Sequence, residues 1–288
     1  MTAIYKRELK AYMTSMIGPL FIAALTAIAG VYFVVYNLRI GYPYFSYVLG
    51  GLLFIFLLIV PVLTMRSLAD ERKSKTDQLL LTSPVSVGKI IMGKYFAMIT
   101  IMAIPVLIFC LCPLVIKTGG TAYLKADYAS LFAFFLMGCA YISIGMFISS
   151  LTESQIIAAV GTFGILLFFY LLDGIVGMLG TTALFSFVGF LGILAIICLI
   201  YYGMTKNWMA ALGVGIVGAI VLILLYVFNN EMFESALPNL LSAISINAVI
   251  EAFINDQVFD VTGLVYYISI SFVFLFLSSQ MIQKRRWS

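Results

Sequence analysis

Residues Ser46–Met65, SYVLGGLLFIFLLIVPVLTM, form an uncharged run that ends abruptly in Arg66–Lys75, RSLADERKSK. A helix rises about 1.5 Å per residue, so some 20 apolar residues match the roughly 30 Å of hydrocarbon in a bilayer. The switch to charge at Arg66 marks the edge of that slab. Seven more stretches have the same character: Ile17–Tyr36, Ile90–Ile116, Ala129–Ser150, Gln155–Leu179, Ala183–Tyr202, Met209–Phe228 and Thr262–Met281. The least distinct pair is the sixth and seventh, parted only by Tyr201–Trp208. Charged residues make up 10% of the chain and the mean hydropathy is +1.15, a balance that leaves too little polar surface to cover a water-soluble domain. The fold class is therefore all-α and polytopic, with about eight transmembrane helices. With no internal repeat and no soluble segment, residues 1–288 read as a single transmembrane domain.

Lys and Arg set the orientation, because cytoplasmic loops carry their excess. With a cytoplasmic N-terminus and alternating helices, the outside segments hold only Arg39, Lys117 and Lys125 of the 16 basic residues. An odd number of spans would carry Lys284-Arg285-Arg286 outside, so both termini are expected to be cytoplasmic. The net charge of +4 is this bias seen as a total, and no nucleic-acid partner follows from it. The first span is long and lacks a small-residue cleavage site, so it reads as an anchor and not as a cleaved signal peptide.

The chain has no histidine, which excludes imidazole acid–base catalysis, His-containing triads and His-based metal sites. Cys110, Cys112, Cys139 and Cys198 all lie inside expected spans. Cys110 and Cys112 sit about 200° apart around a helix, so they face different ways. A Cu(I) site with nearby Met residues is the alternative; apolar filler is the simpler reading, and no metal or catalytic residue is assigned. Gly88–Tyr95 satisfies G-x-x-x-x-G-K, but Tyr95 stands where Ser or Thr holds Mg²⁺ in a phosphate loop. No strand precedes it either. Lys89 and Lys94 read as cytoplasmic anchors, and any ATP belongs on another subunit.

Three segments outside the spans carry information. Residues 1–16 place Tyr5, Leu9, Tyr12, Met13 and Met16 at helical spacing, with Lys6, Arg7, Lys10 and Thr14 on other faces. That suits a helix lying in the cytoplasmic interface against membrane lipids. Residues 66–89 are the longest polar segment on that side: Asp70-Glu71-Arg72, then Thr76, Leu79-Leu80-Leu81, Thr82 and Pro84. Thr76 can cap a helix, Asp77 suits its first turn and Pro84 stops it, which predicts a short helix below the membrane. Its three consecutive leucines cannot share one face, so some are left for another part of this protein or for another protein. The next cytoplasmic connection, Ser149–Ser154, is tight, with Glu153 its one charge. Residues 229–260 form the largest external segment, acidic, with a partly amphipathic helical pattern through Leu240, Leu241, Ile244 and Ala248.

Buried ionisable residues mark ion-coupled transporters, and they are scarce here. Asp173, near the outer end of the fifth span, is the deepest. With Gly174, Gly177 and Gly180 beside it, that end is expected to be irregular, which makes Asp173 a candidate at the mouth of a pathway. An interface carboxylate is the simpler reading.

The order Asp70-Glu71-Arg72, Thr76, Leu79–Leu81, Ser83-Pro84, Gly93-Lys94 closely resembles the first cytoplasmic loop of type-2 ABC-transporter permeases. Lys75 departs from it, standing where that loop usually has Gly, and Asp77-Gln78 stand around its usual acidic position. Ile148–Gln155 is similar to the family's connection between spans four and five, especially in the gliding-motility-type branch of ABC export permeases. Tyr5–Leu9 at the start, and Tyr266-Tyr267 with Lys284–Trp287 at the end, are similar to that branch as well. The resemblance implies a permease subunit in the cell inner (plasma) membrane that pairs with a second permease copy or a homologous permease. It also implies an ABC ATPase subunit that carries the ATP and Mg, with no cofactor in this chain. Residues 1–16 and 66–89 would contact that ATPase, the latter as a coupling loop, with Asp70, Glu71, Arg72, Thr76, Leu79, Leu80, Leu81, Thr82, Pro84 and Glu153 as the coupling residues. The family core has six spans, so two here look like an addition before the last. A non-transporting assembly or anchoring factor and an ion-coupled secondary carrier are the alternatives.

Overall fold

A computed structural model describes residues 1–76 and 86–287. Its elements are α1 (Thr2–Thr14), α2 (Ile17–Phe33) running into a π-helical turn (Val34–Arg39), α3 (Ser46–Thr64), α4 (Arg66–Lys73), α5 (Val87–Phe109), α6 (Cys112–Gly119), α7 (Leu124–Leu151), α8 (Gln155–Met178), α9 (Ala183–Thr205) and α10 (Trp208–Phe228). A 3₁₀ turn (Asn230–Phe233) follows, then α11 (Ala236–Ile244), α12 (Asn247–Glu251) with a π turn (Ala252–Asp256), and α13 (Val261–Trp287). The described residues contain no strand. The chain is an all-α, multi-pass membrane protein: seven helices are long and apolar enough to span. A broken pair, Ala236–Ile244 with Asn247–Asp256, makes an eighth if taken as one span. Helices stand at all eight expected positions, although α10 contributes a shorter apolar helix, Leu212–Phe228.

Two local expectations are corrected, and one helix stands where none was assigned. The third span breaks at Cys110-Leu111, because Pro113 has no N–H to give and its ring crowds the carbonyl four residues back, at Phe109. The charged stretch Arg66–Lys73 is itself helical, helped by the Arg66–Asp70 pair at i,i+4 (2.8 Å). The outer end of the fifth span is not broken: α8 runs through Gly174 and Gly177 to Met178. A lone glycine costs a helix only about 1 kcal/mol, too little to interrupt an otherwise apolar run.

The contacts divide the chain into two compact units, one of residues 1–169 and 246–288, the other of residues 170–245. In the first, α7 is the centre, with α3, α5 and α13 packed around it. Helices in a bilayer gain from close van der Waals packing, which small residues permit. At Gly138 an added Cβ would fall on Met102 and Phe56, and at Gly145 on Thr64. Phe56 packs at a tilt on Phe134 and stacks on Tyr141 (ring centroids 4.8 and 5.9 Å). The Tyr141 hydroxyl donates to Asn247 Oδ1 (2.7 Å), and Tyr267 donates to the Ile246 carbonyl (2.9 Å). At the start of α7, fully buried Asp127 accepts the Phe45 and Ser46 amides through Oδ1 (2.7 and 3.3 Å). It thus caps α3, whose own N-cap residue, Phe45, supplies no side-chain bond. The second unit is a hairpin of α9 and α10, closed at one end by Phe187, Phe190, Tyr226 and Phe233.

Gly145→Leu is expected to overpack the α3–α7 contact by about 1–3 kcal/mol. Its melting transition in detergent should fall. Gly164→Ala, where an added Cβ meets nothing within 4 Å inside α8, should melt at or slightly above the parent. An unshifted transition in Gly145→Leu would remove the contact.

Candidate functional site

Three segments of the first unit, α1, α4 and α5, meet around one ammonium group. Lys94 lies on α5 and its side chain is 2% exposed. Its Nζ donates to the Ser67 carbonyl (3.0 Å) and pairs with Glu8 Oε1 (3.2 Å) on α1 and Glu71 Oε1 (2.9 Å) on α4. An ammonium has three protons to donate, and these acceptors use all of them. Arg7 Nη2 closes the ring, at 2.6 Å from Glu8 and 2.9 Å from Glu71. Two cations thus alternate with two carboxylates. The arrangement needs α1 close to α5, and Gly93 lets it approach: an added Cβ there would meet Ile4 at 3.1 Å.

Helix α1 buries Tyr12 and turns Tyr5 and Glu8 inward, while Met13 and Met16 stay exposed. The Tyr5 hydroxyl pairs with that of Thr100 (3.0 Å), and Tyr12 donates to the Leu63 carbonyl (3.3 Å). Burial, reinforced by the Glu8 carboxylate, pushes the Tyr12 phenol well above its ordinary pKa, so it remains a neutral donor. Between these groups lies a cavity of about 300 Å³, lined by Arg7, Glu8, Tyr12, Arg66, Asp70, Glu71, Thr76 and Lys94 among others.

The α7–α8 connection fixes the other side of α4. Helix α4 has no capping side chain of its own. Ser149 Oγ, from α7, accepts the Leu68 and Ala69 amides (3.2 and 3.0 Å) and donates to the Met65 carbonyl (3.1 Å). A hydroxyl on another helix thus satisfies donors that the first turn leaves free. Arg72 Nη1 donates to the Ser150 carbonyl (2.9 Å) and Nη2 lies 3.5 Å from Glu153. Gln155 Nε2 donates to Asp70 Oδ1 (2.7 Å).

The end of α4 is equally specific. Lys75 has φ +56°, the left-handed conformation that favours glycine. The Lys75 and Thr76 amides donate back to the Arg72 and Glu71 carbonyls (3.1 and 3.0 Å), the paired bonds of a Schellman cap. A lysine therefore occupies the place where the resembled loop has glycine, with the backbone held as glycine would hold it.

Of the expected coupling residues, the structure brings together Asp70, Glu71, Arg72, Thr76 and Glu153. Thr76 lies in the turn after α4, its hydroxyl 2.9 Å from that of Ser74. Leu79, Leu80, Leu81, Thr82 and Pro84 lie outside the described residues, as does the short helix expected there. Asp173 lies in the other unit, half-buried, and its Oδ2 has no hydrogen-bond partner among the described residues. Lys94 is corrected from a surface anchor to a buried ion-pair centre, because α1 folds over it. Glu8, Ser149 and Gln155 also went unassigned in the sequence. Their signal was there for Glu8 and Lys94: an acid in a basic N-terminal helix, and a cation a turn inside an apolar span.

A junction at which a lead-in helix, a loop helix, the span α5 and the α7–α8 connection are tied by ion pairs is suited to passing on force. Residues 8–212 match the family described as ABC-2 family transporter protein. The chain belongs to that family. No curated relative matches it. Membership makes it a membrane transport permease, of a family whose members generally pair with an ABC ATPase subunit. The match runs from Glu8 in the ion-paired junction to Leu212 in α10.

Removing the central charge should uncouple the junction of this permease. Lys94→Met leaves two partly buried carboxylates to share Arg7 alone and is expected to cost up to about 3 kcal/mol, the lower end of the range for breaking a buried pair. Adding Glu71→Gln should recover part of that loss, seen as a non-additive double-mutant cycle in thermal unfolding. Strict additivity would dissolve the network.

Proposed function

We propose that this permease couples ATP hydrolysis on a separate ABC ATPase subunit to substrate export. The observation that carries the reading is the position of the Lys94 junction: it binds α1, α4, α5 and the α7–α8 connection together immediately before Thr76, where the coupling segment Thr76–Pro84 begins. Force on that segment would reach α3, α5 and α7 at once. ATP and Mg would sit on the partner, and closure of two ATPase subunits would bias the permease between two arrangements. The pathway would lie between this chain and a second or homologous permease, with Asp173 as the pathway candidate. The chain would be one permease domain of the gliding-motility-type branch, in the inner (plasma) membrane.

Leu80→Asp should place a charge in the apolar contact with the ATPase, at a cost of several kcal/mol if the carboxylate is fully desolvated. The variant should reach the membrane yet fail to retain the ATPase in a pull-down, with Leu79→Asp and Leu81→Asp beside it to identify the outward leucine. Normal retention in all three would remove the assignment. The Lys/Arg asymmetry supports a cytoplasmic position for both ends. A cysteine introduced by Ser288→Cys should therefore be shielded from an impermeant thiol reagent in intact cells, and labelling from outside would reverse the topology.

A further inference from the structure

The second unit carries a groove that the transport reading does not use. Between α9 and α10 lies a cavity of about 740 Å³, in the size range of small-molecule sites. Its walls are apolar, including Leu194, Cys198, Leu199, Leu212 and Ile216. It exists because Ala195, Gly215 and Ala219 leave the facing helices without bulk there. At the end nearest the α9–α10 turn it is lined by Tyr202 and Trp208.

That turn bears Lys206, the one charged residue between Gly174 and Asn230. Its backbone is left-handed (φ +50°), and its amide ends α9 by donating to the Tyr202 carbonyl (2.8 Å). The side chain is exposed and has no ion pair among the described residues. The acids of this unit, Asp173, Glu231 and Glu234, lie toward the far ends of helices 23 and 21 residues long, roughly 30 Å away at 1.5 Å per residue. A cation flanked by Tyr and Trp at one helix end has the composition of a headgroup-depth boundary, and the apolar groove runs from there along the helices.

We propose that the α9–α10 hairpin holds one anionic glycerophospholipid, with an acyl chain in the groove and its phosphate on Lys206. A free phosphate would leave the groove unused. A hairpin from a second copy would bring a second Lys206 to the same level, a like charge with no acid to offset it. An anionic lipid answers both features with one molecule. This site stands apart from the ATP-coupling reading and does not depend on it.

Trp208 makes the test direct, since Trp287 is the only other tryptophan. The full chain, carrying Trp287→Phe, is placed in phosphatidylcholine nanodiscs containing brominated phosphatidylglycerol or, at equal mole fraction, brominated phosphatidylcholine. Brominated phosphatidylglycerol should compete for the Trp208 position roughly fivefold better, the advantage of one cation near an anionic headgroup. Lys206→Gln should abolish the preference, and Ala219→Phe, which fills the groove, should reduce quenching by both lipids. The melting transition and elution volume of each variant check that it is folded. Native mass spectrometry gives a second measurement: a retained phosphatidylglycerol adduct in the parent, lost in Lys206→Gln. Equal quenching by the two lipids, with no retained adduct, would mean an unselective lipid annulus only and overturn the proposal. So would Cys198–Cys198 crosslinking in a variant whose sole cysteine is Cys198, which would give the groove to a second copy.

Discussion

The ammonium of Lys94, held between Glu8, Glu71 and the Ser67 carbonyl, is the constraint on which the α1–α4–α5 end of the first unit depends. A charge this deeply enclosed is tolerated because each of its protons has an acceptor and both carboxylates are shared with Arg7. Every acceptor comes from a different piece of chain from α5. Helix α1 cannot lift, nor α4 swing, without leaving a buried charge short of a partner. The junction therefore holds together less by attraction than by the cost of being opened.

The sequence made the fold class legible because the membrane writes it in a plain code: long apolar runs cut by polar joints. Helices stand at all eight expected spans for that reason. The finer features depended on things that periodicity does not record. The break at Cys110-Leu111 follows from Pro113, a signal that was present and outweighed by continuous hydrophobicity. The unbroken end of α8 shows the converse, glycines read as a break where the apolar run was enough to carry the helix. The helical Arg66–Lys73 depends on a cap from Ser149, some 80 residues away, which no local reading can supply.

The site was half legible. Asp70, Glu71, Arg72 and Glu153 stood out as charges in the two connections expected on the cytoplasmic side, and they meet. Lys94 looked like an anchor because a lysine a turn inside a span usually snorkels to water. Only the fold of α1 over Gly93 shows that water is excluded there. Asp127 was lost in the same way: a carboxylate near the start of a span looks like a boundary residue until two amides of α3 are found on it.

Helix α7 grips the α3–α4 segment twice. Asp127 holds the amides at the start of α3, and Ser149 holds those at the start of α4; along α7 the two residues are roughly 33 Å apart at 1.5 Å per residue. A rod pinned at one point can pivot, whereas a rod pinned at both ends keeps only the motions of the body to which it is pinned. Gly138 and Gly145 close the space between the pins, so the pair has little room to bow. Its natural moving part is thus the α3–α4–α7 block, and a shift applied at the end of α4 arrives at Phe45, on the opposite side of the membrane, without being lost along the way.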